Sequence, residues 1–195
     1  PVMTSDGQSV LVSDGDYRLG RIAVQAGSGG PLLAVEAEAT LTGSAALSLA
    51  AARGKVFVVQ SDHQITVLDE SSLKPLSAFA APPSLTGLLG LPPSDNSQAW
   101  LLAQAAAGEL IALDDTGNQV WKSPGLAAPM LGASVVTGER IAIAFVDGTV
   151  DILRLADGSH AARVQLAVPL VAAPVAADDG LVVATLDGRF FKVRP

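Results

Sequence analysis

No cysteine occurs in the 195 residues, which excludes disulfides, thiolate nucleophiles, iron–sulfur clusters and cysteine-based zinc sites together. Histidine is nearly as scarce. His63 and His160 are the only two; they stand far apart at turn-like positions, neither has a second ligand at metal-binding spacing, and both read as exposed loop residues. No apolar run approaches the roughly 18 residues needed for a membrane-crossing helix, because Gly, Pro or charge interrupts every Ala-rich stretch. Charged residues make up 16% of the chain and aromatic residues 4%. The charge is acidic, net -7, and no cluster of Lys and Arg interrupts it, so nucleic acid is not an expected partner. The sequence opens at Pro1 with neither an initiator Met nor a signal-peptide pattern, and it reads as a piece of a longer protein.

Hydrophobic residues are plentiful, at 49%, and they recur with a period. The runs SVLVS, KVFVV, QAWLL, RIAIA and GLVVA have their first apolar residues at Val10, Val56, Ala99, Ile141 and Leu181, at intervals of 46, 43, 42 and 40. A second run follows each of them: RIAVQ, ITVLD, LIALD, VDILR and FFKVR. Within these, Leu68, Leu113, Leu153 and Val193 recur at intervals of 45, 40 and 40. Each run is short, rich in Val, Ile, Leu or Phe and bounded by Gly, Asp, Asn or Ser, which is the pattern of a short strand. The third runs include PLLAVEA, LKPLSAFA, NQVWKS and ARVQLAV; the fourth include LSLAA, LTGLLGL, MLGASVV and LVAAPVAA. Ala45 to Ala52 is the one contender for a helix, and its strand-like register is preferred.

Turn chemistry fits the same plan. Asp147-Gly148 and Asp187-Gly188 stand between successive runs, where a tight hairpin requires a positive φ that Gly adopts without steric cost. Asp14-Gly15 opens the corresponding position of the first unit. SDHQ from Ser61 and AAAGE from Ala105 replace the dipeptide in the second and third, and those two hairpins are expected to be looser. Units of about 40 residues with four strands each predict an all-β β-propeller of five blades, at approximately 1–40, 41–83, 84–128, 129–168 and 169–195, within a single domain. The sequence reaches Pro195 before a fourth strand of the last unit. That blade is therefore expected to be incomplete, in a small five-bladed ring or in part of a larger propeller missing its N-terminal side. A β-sandwich would not require so constant a spacing.

The stretch GELIALDDTGNQVWKSPGLAAP, Gly108 to Pro129, resembles the repeat of the PQQ-like propellers, the superfamily of quinoprotein alcohol dehydrogenases and BamB-like envelope proteins. Ala112, Leu113, Asp114, Thr116, Gly117 and Trp121 carry the match, with one residue fewer between Asp114 and Thr116 than the full motif has. The other units match in part. The resemblance implies that Asp114, Thr116, Gly117 and Trp121 serve structural docking between blades. It also implies a periplasmic or cell-envelope location.

Among candidates for chemistry, DGDYR at Asp14 to Arg18 lacks the further oxygen ligands of a calcium loop. AGSGGP from Ala26 precedes a strand-like run rather than a helix, so it reads as a loop rather than a phosphate cradle. Glu36 and Glu38 alternate on one strand and are expected on one solvated face. No GxSxG elbow occurs. Arg189, Lys192 and Arg194 read as a solvated strand edge that resists aggregation. The quinone enzymes of the family use a calcium or lanthanide site, a catalytic Asp and commonly a vicinal disulfide, and none of these is found here. No catalytic residue, metal or cofactor is therefore assigned. The sequence points to a non-catalytic scaffold that binds another protein through loops or an exposed blade edge. The alternative is a fragment of a quinoprotein dehydrogenase or other propeller enzyme whose catalytic residues lie elsewhere.

Overall fold

The computed structural model describes residues 1–27, 30–43, 48–93, 98–132, 134–178 and 180–194. Among these, every regular element is a strand, and each strand pairs antiparallel with its neighbour in sequence. Sheet 1 contains β1 (Val2–Met3), β2 (Ser9–Ser13), β3 (Arg18–Gly27) and β4 (Gly30–Thr40). Sheet 2 contains β5 (Ser48–Ala52), β6 (Lys55–Val59), β7 (Gln64–Asp69) and β8 (Pro75–Ala80). Sheet 3 contains β9 (Leu85–Gly90), β10 (Leu101–Ala105), β11 (Leu110–Leu113) and β12 (Gln119–Ser123). Sheet 4 contains β13 (Val135–Thr137), β14 (Arg140–Ala144), β15 (Thr149–Arg154) and β16 (His160–Gln165). Sheet 5 has three strands, β17 (Val175–Ala177), β18 (Gly180–Ala184) and β19 (Phe190–Val193). The chain falls into two compact units, Pro1–Pro82 with sheets 1 and 2, and Pro83–Pro195 with sheets 3 to 5.

Within each unit the cores lie between successive sheets, because the alternation of a strand gives each sheet two faces to cover. In the first unit, Leu11 and Leu19 of sheet 1 pack with Val56, Val58 and Leu68 of sheet 2. In the second, Leu102, Leu110 and Ala112 of sheet 3 meet Ile141, Ile143 and Leu153 of sheet 4. The other face of sheet 4, formed by Ala142, Ala144, Val150 and Ile152, is covered by Leu181, Val183 and Val193 of sheet 5. The cross-strand pairs Leu101↔Leu113, Ile141↔Leu153 and Leu181↔Val193 are equivalent. They correct the third unit's register: Leu101, not Ala99, corresponds to Ile141. Residues 99 and 100 precede β10, with Trp100 N donating to Leu113 O at 2.8 Å.

The hairpins between second and third strands of sheets 2 to 5 share one geometry, which overturns the expectation of two looser turns. In β14–β15, Phe145 N donates to Thr149 O at 2.8 Å and Gly148 N to Phe145 O at 3.2 Å. The β10–β11 turn repeats this with Ala105 N to Glu109 O at 2.9 Å and Gly108 N to Ala105 O at 2.8 Å. The β6–β7 turn repeats it with Gln60 N to Gln64 O at 2.9 Å and His63 N to Gln60 O at 3.1 Å. In β18–β19 the corresponding pairs are Thr185 to Arg189 and Gly188 to Thr185. The fourth turn residue is left-handed in all four, at φ +94° for Gly148, +85° for Gly108, +79° for Gly188 and +60° for His63. The dipeptide Asp-Gly is thus one of several ways to write the turn. Hydrogen bonding fixes its form even where His63 must adopt the conformation that Gly accepts more easily.

Two further expectations fall outside the described residues in part: AGSGGP at 28–29 and the Ala-rich segment at 44–47. The described remainder of the latter, Ser48–Ala52, is strand β5.

Candidate interaction surface

Trp121 sits on β12 with 6% of its surface exposed, and its Nε1 donates to Leu155 O at 2.8 Å. The indole also lies against Gly158, where a Cβ would come within 2.3 Å of its Cε3. Trp121 therefore bridges sheets 3 and 4, with its large apolar ring buried and its single donor satisfied. Asp114 and Thr116 behave differently. Asp114 Oδ1 accepts from Thr116 N at 2.9 Å, Thr116 Oγ1 at 2.8 Å and Asn118 N at 2.9 Å, while Oδ2 accepts from Asn118 Nδ2 at 3.0 Å. Gly117, at φ +89°, completes that same turn through Gly117 N to Asp114 O at 3.3 Å. The hydrogen bonds of Asp114 and Thr116 stay within the turn, so of these residues it is Trp121 that bonds to the neighbouring sheet. These bonds hold the Asp114 carboxyl below its ordinary pKa against the opposing effect of burial.

Asp147 and Asp187 organise their turns in a similar way. Asp147 Oδ1 accepts from Thr149 N at 3.0 Å, and Asp187 Oδ1 accepts from Thr185 Oγ1 at 2.6 Å. Arg189 pairs with Asp187 Oδ2 and lies 5.7 Å from the Phe191 ring centroid. Together, the bonds from Arg189 and Thr185 lower the Asp187 pKa to about 2.

Two polar sets were not visible in the sequence. Asp151 is fully buried in the middle of β15. Its Oδ2 accepts from Arg163 Nη2 at 2.7 Å, and its Oδ1 lies 3.0 Å from His160 Nδ1. His160 Nε2 lies 3.0 Å from Pro124 O. His160 is therefore a strand residue joined to a buried carboxylate and to the preceding connection, not the loop histidine expected. The cause is register: Asp151 faces Arg163 directly, and a bulge between Ile152 and Leu153 draws His160 beside Leu153. An aspartate within the apolar run TVDILR was the available signal, because a buried charge requires partners.

The second set ties sheet 1 to sheet 2. Glu70, 5% exposed, accepts from Ser5 N at 2.6 Å and Ser5 Oγ at 2.5 Å. Arg21 Nη1 donates to Glu70 O at 3.2 Å, and its Nε lies 3.1 Å from Glu36 Oε2. Glu36 and Glu38 therefore do not share surroundings. The bulge at Arg21/Ile22 breaks the alternation, turning Glu36 to Arg21 and Ser9, while Glu38 lines a hollow of about 610 Å³ with Val12, Asp14, Arg18, Gly20, Ile22 and Val35.

Asp14 Oδ1 accepts from Asp16 N at 2.9 Å and Arg18 N at 3.1 Å, so DGDYR is an organised turn. Among the described residues, no group of three or more His, Asp or Glu side chains is placed to hold a metal ion. Among the described residues, no helix is long and apolar enough to cross a membrane.

The surface offers apolar strand edges and faces instead. On β4, Leu32 is 62%, Leu33 78% and Val35 58% exposed; on β8, Leu76 is 55% exposed; in sheet 5, Val175 is 64% and Phe190 75% exposed. β4, with 11 residues, is about twice the length of the corresponding β8, β12 and β16, so its edge exceeds what a blade requires.

The family profile described as outer membrane protein assembly factor BamB matches residues 1–129 and 106–194. The chain belongs to that family. An outer membrane protein assembly factor BamB from Bordetella pertussis is 32% identical over 101 residues, covering 51% of this chain and 26% of the relative. The crystal structure of BamB from Moraxella catarrhalis superposes with a TM-score of 0.66 at 12% identity, over 98% of this chain and 60% of that one. The computationally designed Ika4 protein gives a TM-score of 0.59 at 19% identity, over 75% of this chain and 89% of its own. The structural similarities establish the fold, an all-β propeller of four-stranded blades in which sheet 5 has three strands. The chain spans about a quarter of the curated relative and 60% of the Moraxella BamB chain.

Proposed function

We propose that this chain is a non-catalytic, BamB-like scaffold of the bacterial cell envelope that presents blade edges and loops to a partner protein during outer membrane protein assembly. The observation that carries this reading is the family match along nearly the whole chain, to a family described as an assembly factor. The surface supports it. The long edge of β4 exposes Leu32, Leu33 and Val35, and exposed edge backbone can add a partner's strand while apolar side chains seat against it. The notable polar groups are occupied by turns, by the Asp151 set and by the Glu70 set, which are structural uses of charge.

A photo-crosslinking residue placed at Leu33 in the native bacterium tests this reading. The expected result is a discrete adduct with an identified component of outer membrane protein assembly, absent when the same residue replaces exposed Ser71. Absence of an adduct from Leu32, Leu33 and Leu76 alike, with the protein folded and present in the envelope, would overturn it.

A further inference from the structure

We propose that His160 is a proton-operated tie between sheets 3 and 4: as the doubly protonated imidazolium it holds buried Asp151 and the Pro124 carbonyl together, and on losing a proton it releases Pro124. The ring stands between two acceptors. Nδ1 lies 3.0 Å from Asp151 Oδ1, and Nε2 lies 3.0 Å from Pro124 O. Both oxygens of Asp151 also accept from Arg163, Oδ2 from Nη2 at 2.7 Å and Oδ1 from Nε at 3.4 Å, so the carboxylate has no proton to give, and a peptide carbonyl has none either. A neutral imidazole carries one N–H. It can serve one of these oxygens and must meet the other lone pair to lone pair, whereas the imidazolium donates to both. Two contacts of 3.0 Å are therefore the arrangement of the charged ring.

Burial decides which bond the neutral ring keeps. Asp151 is fully buried, whereas Pro124 is exposed, and an oxygen left unpaired inside costs more than one that water can reach. The neutral ring therefore keeps Nδ1–H toward Asp151 and turns a bare Nε2 to Pro124 O. Pro124 opens the connection from β12 to β13. Farther along, Gln104 fastens that connection through Nε2 to Leu126 O and Ala128 O, at 2.8 Å each, and through Oε1 from Met130 N at 3.0 Å. Those bonds need no titrating group; the bond at Pro124 does. Around the ring, Arg163 opposes a second cation on Asp151, while Asp151 favours one, and the charge of Asp147 acts on Arg163. In the turn before β16, Asp157 Oδ1 accepts from Ser159 N at 2.9 Å and feels the charge of Arg154. On β12, Lys122 pairs with Glu109 at 2.7 Å. Each of these cations stands beside an anion, so the two ring hydrogen bonds decide where the proton stays. The folded chain uses a proton here that the unfolded chain does not, so the tie adds stability in mild acid and loses it as pH rises through the range in which histidine titrates, about pH 5 to 8. The seam that Trp121 Nε1 also joins through Leu155 O is thus firmer in mild acid than above neutrality. Both sheets belong to one compact unit, and the tie operates whatever partner the chain binds.

The chain has two histidines, so His63→Asn leaves His160 as its one imidazole. Urea unfolding of that variant, with and without His160→Gln, at about pH 5.5 and about pH 8 reads what His160 contributes at each pH, and the terminal amine cancels in the comparison. The folded-to-unfolded ratio gained from His160 should fall about tenfold from the lower pH to the higher, the worth of one hydrogen bond to a charged group. Ring-nitrogen NMR of the histidine-labelled His63→Asn protein follows the tie without any change at His160. Both ring nitrogens should carry a proton at the lower pH, and Nδ1 alone at the higher. Circular dichroism establishes that each variant is folded. A contribution from His160 that is equal at the two pH values, a singly protonated ring at the lower one, or a proton kept on Nε2 rather than Nδ1 at the higher one overturns the proposal.

Discussion

Replacing Trp121 with Ala tests the inter-blade packing where the structure commits most to one side chain. The indole is 94% buried by the complement of its 6% exposure. Burying a Trp removes roughly 150–250 Å² from water, which at about 25 cal/mol per Å² corresponds to roughly 4–6 kcal/mol as an upper estimate. Measured truncations of buried Trp and Phe cluster at about 3–5 kcal/mol. The substitution also leaves Leu155 O without its donor at 2.8 Å, so a loss of about 4 kcal/mol is expected. For a chain of this size, that lowers the melting temperature by roughly 8–16 °C. Trp121→Phe separates the contributions: it keeps a ring against Gly158 and removes the N–H, and should cost about 1–2 kcal/mol. Thermal unfolding followed by far-ultraviolet circular dichroism measures both without relying on indole fluorescence. A shift below about 2 °C for Trp121→Ala would mean that sheets 3 and 4 do not depend on this contact.

Turn geometry gives a paired prediction: His63→Gly should stabilise by up to about 0.5–1 kcal/mol by relieving a left-handed non-Gly residue, partly offset by chain entropy. Gly148→Ala should destabilise by more than about 1 kcal/mol, because its Cβ would meet Leu166 O and Val168 O at 2.7 Å. Urea midpoints of the two variants would show the opposite signs. Arg163→Leu removes the closest partner of buried Asp151; since the Arg163 side chain is 43% exposed, the cost should be about 2 kcal/mol, below the roughly 3–5 kcal/mol of a fully buried pair. Acid should weaken the protein in a defined window: the hydrogen-bonded carboxyls of Asp69 and Asp187 fall from the ordinary 3.8 to about 2. A lowered folded value means that the unfolded chain takes up protons first, so these contributions are intact above about pH 4 and are lost as pH falls from 3.8 toward 2. Asp187→Asn should flatten the stability profile in that window, as read from urea unfolding at successive pH values.

Strand positions were legible in the sequence because each sheet buries alternate residues against a neighbour, and that pattern persists through KVFVV, RIAIA and GLVVA. Trp121 was legible through the resemblance of GELIALDDTGNQVWKSPGLAAP to a PQQ-like repeat, with which its large apolar ring agrees. The turns at Gln60 and Ala105 were misread because residue identity was taken as the cause of their shape, whereas the hairpin hydrogen bonds impose it even on His63. Asp151 and His160 could not be joined from sequence, since their proximity depends on strand register plus one bulge. The same holds for Glu36, which a second bulge turns away from the surroundings of Glu38. The unusual length of β4 was hidden because PLLAVEA, Pro31 to Ala37, stops three residues short of the end of a strand running from Gly30 to Thr40.

The most direct measurement of the central claim is the level of outer membrane proteins in a bacterium deprived of its own BamB and supplied with the natural form of this protein. The scaffold account predicts that the wild type restores those levels and that Leu33→Lys, with an unchanged melting temperature, restores them less. Folded protein present in the envelope without any restoration would contradict the account.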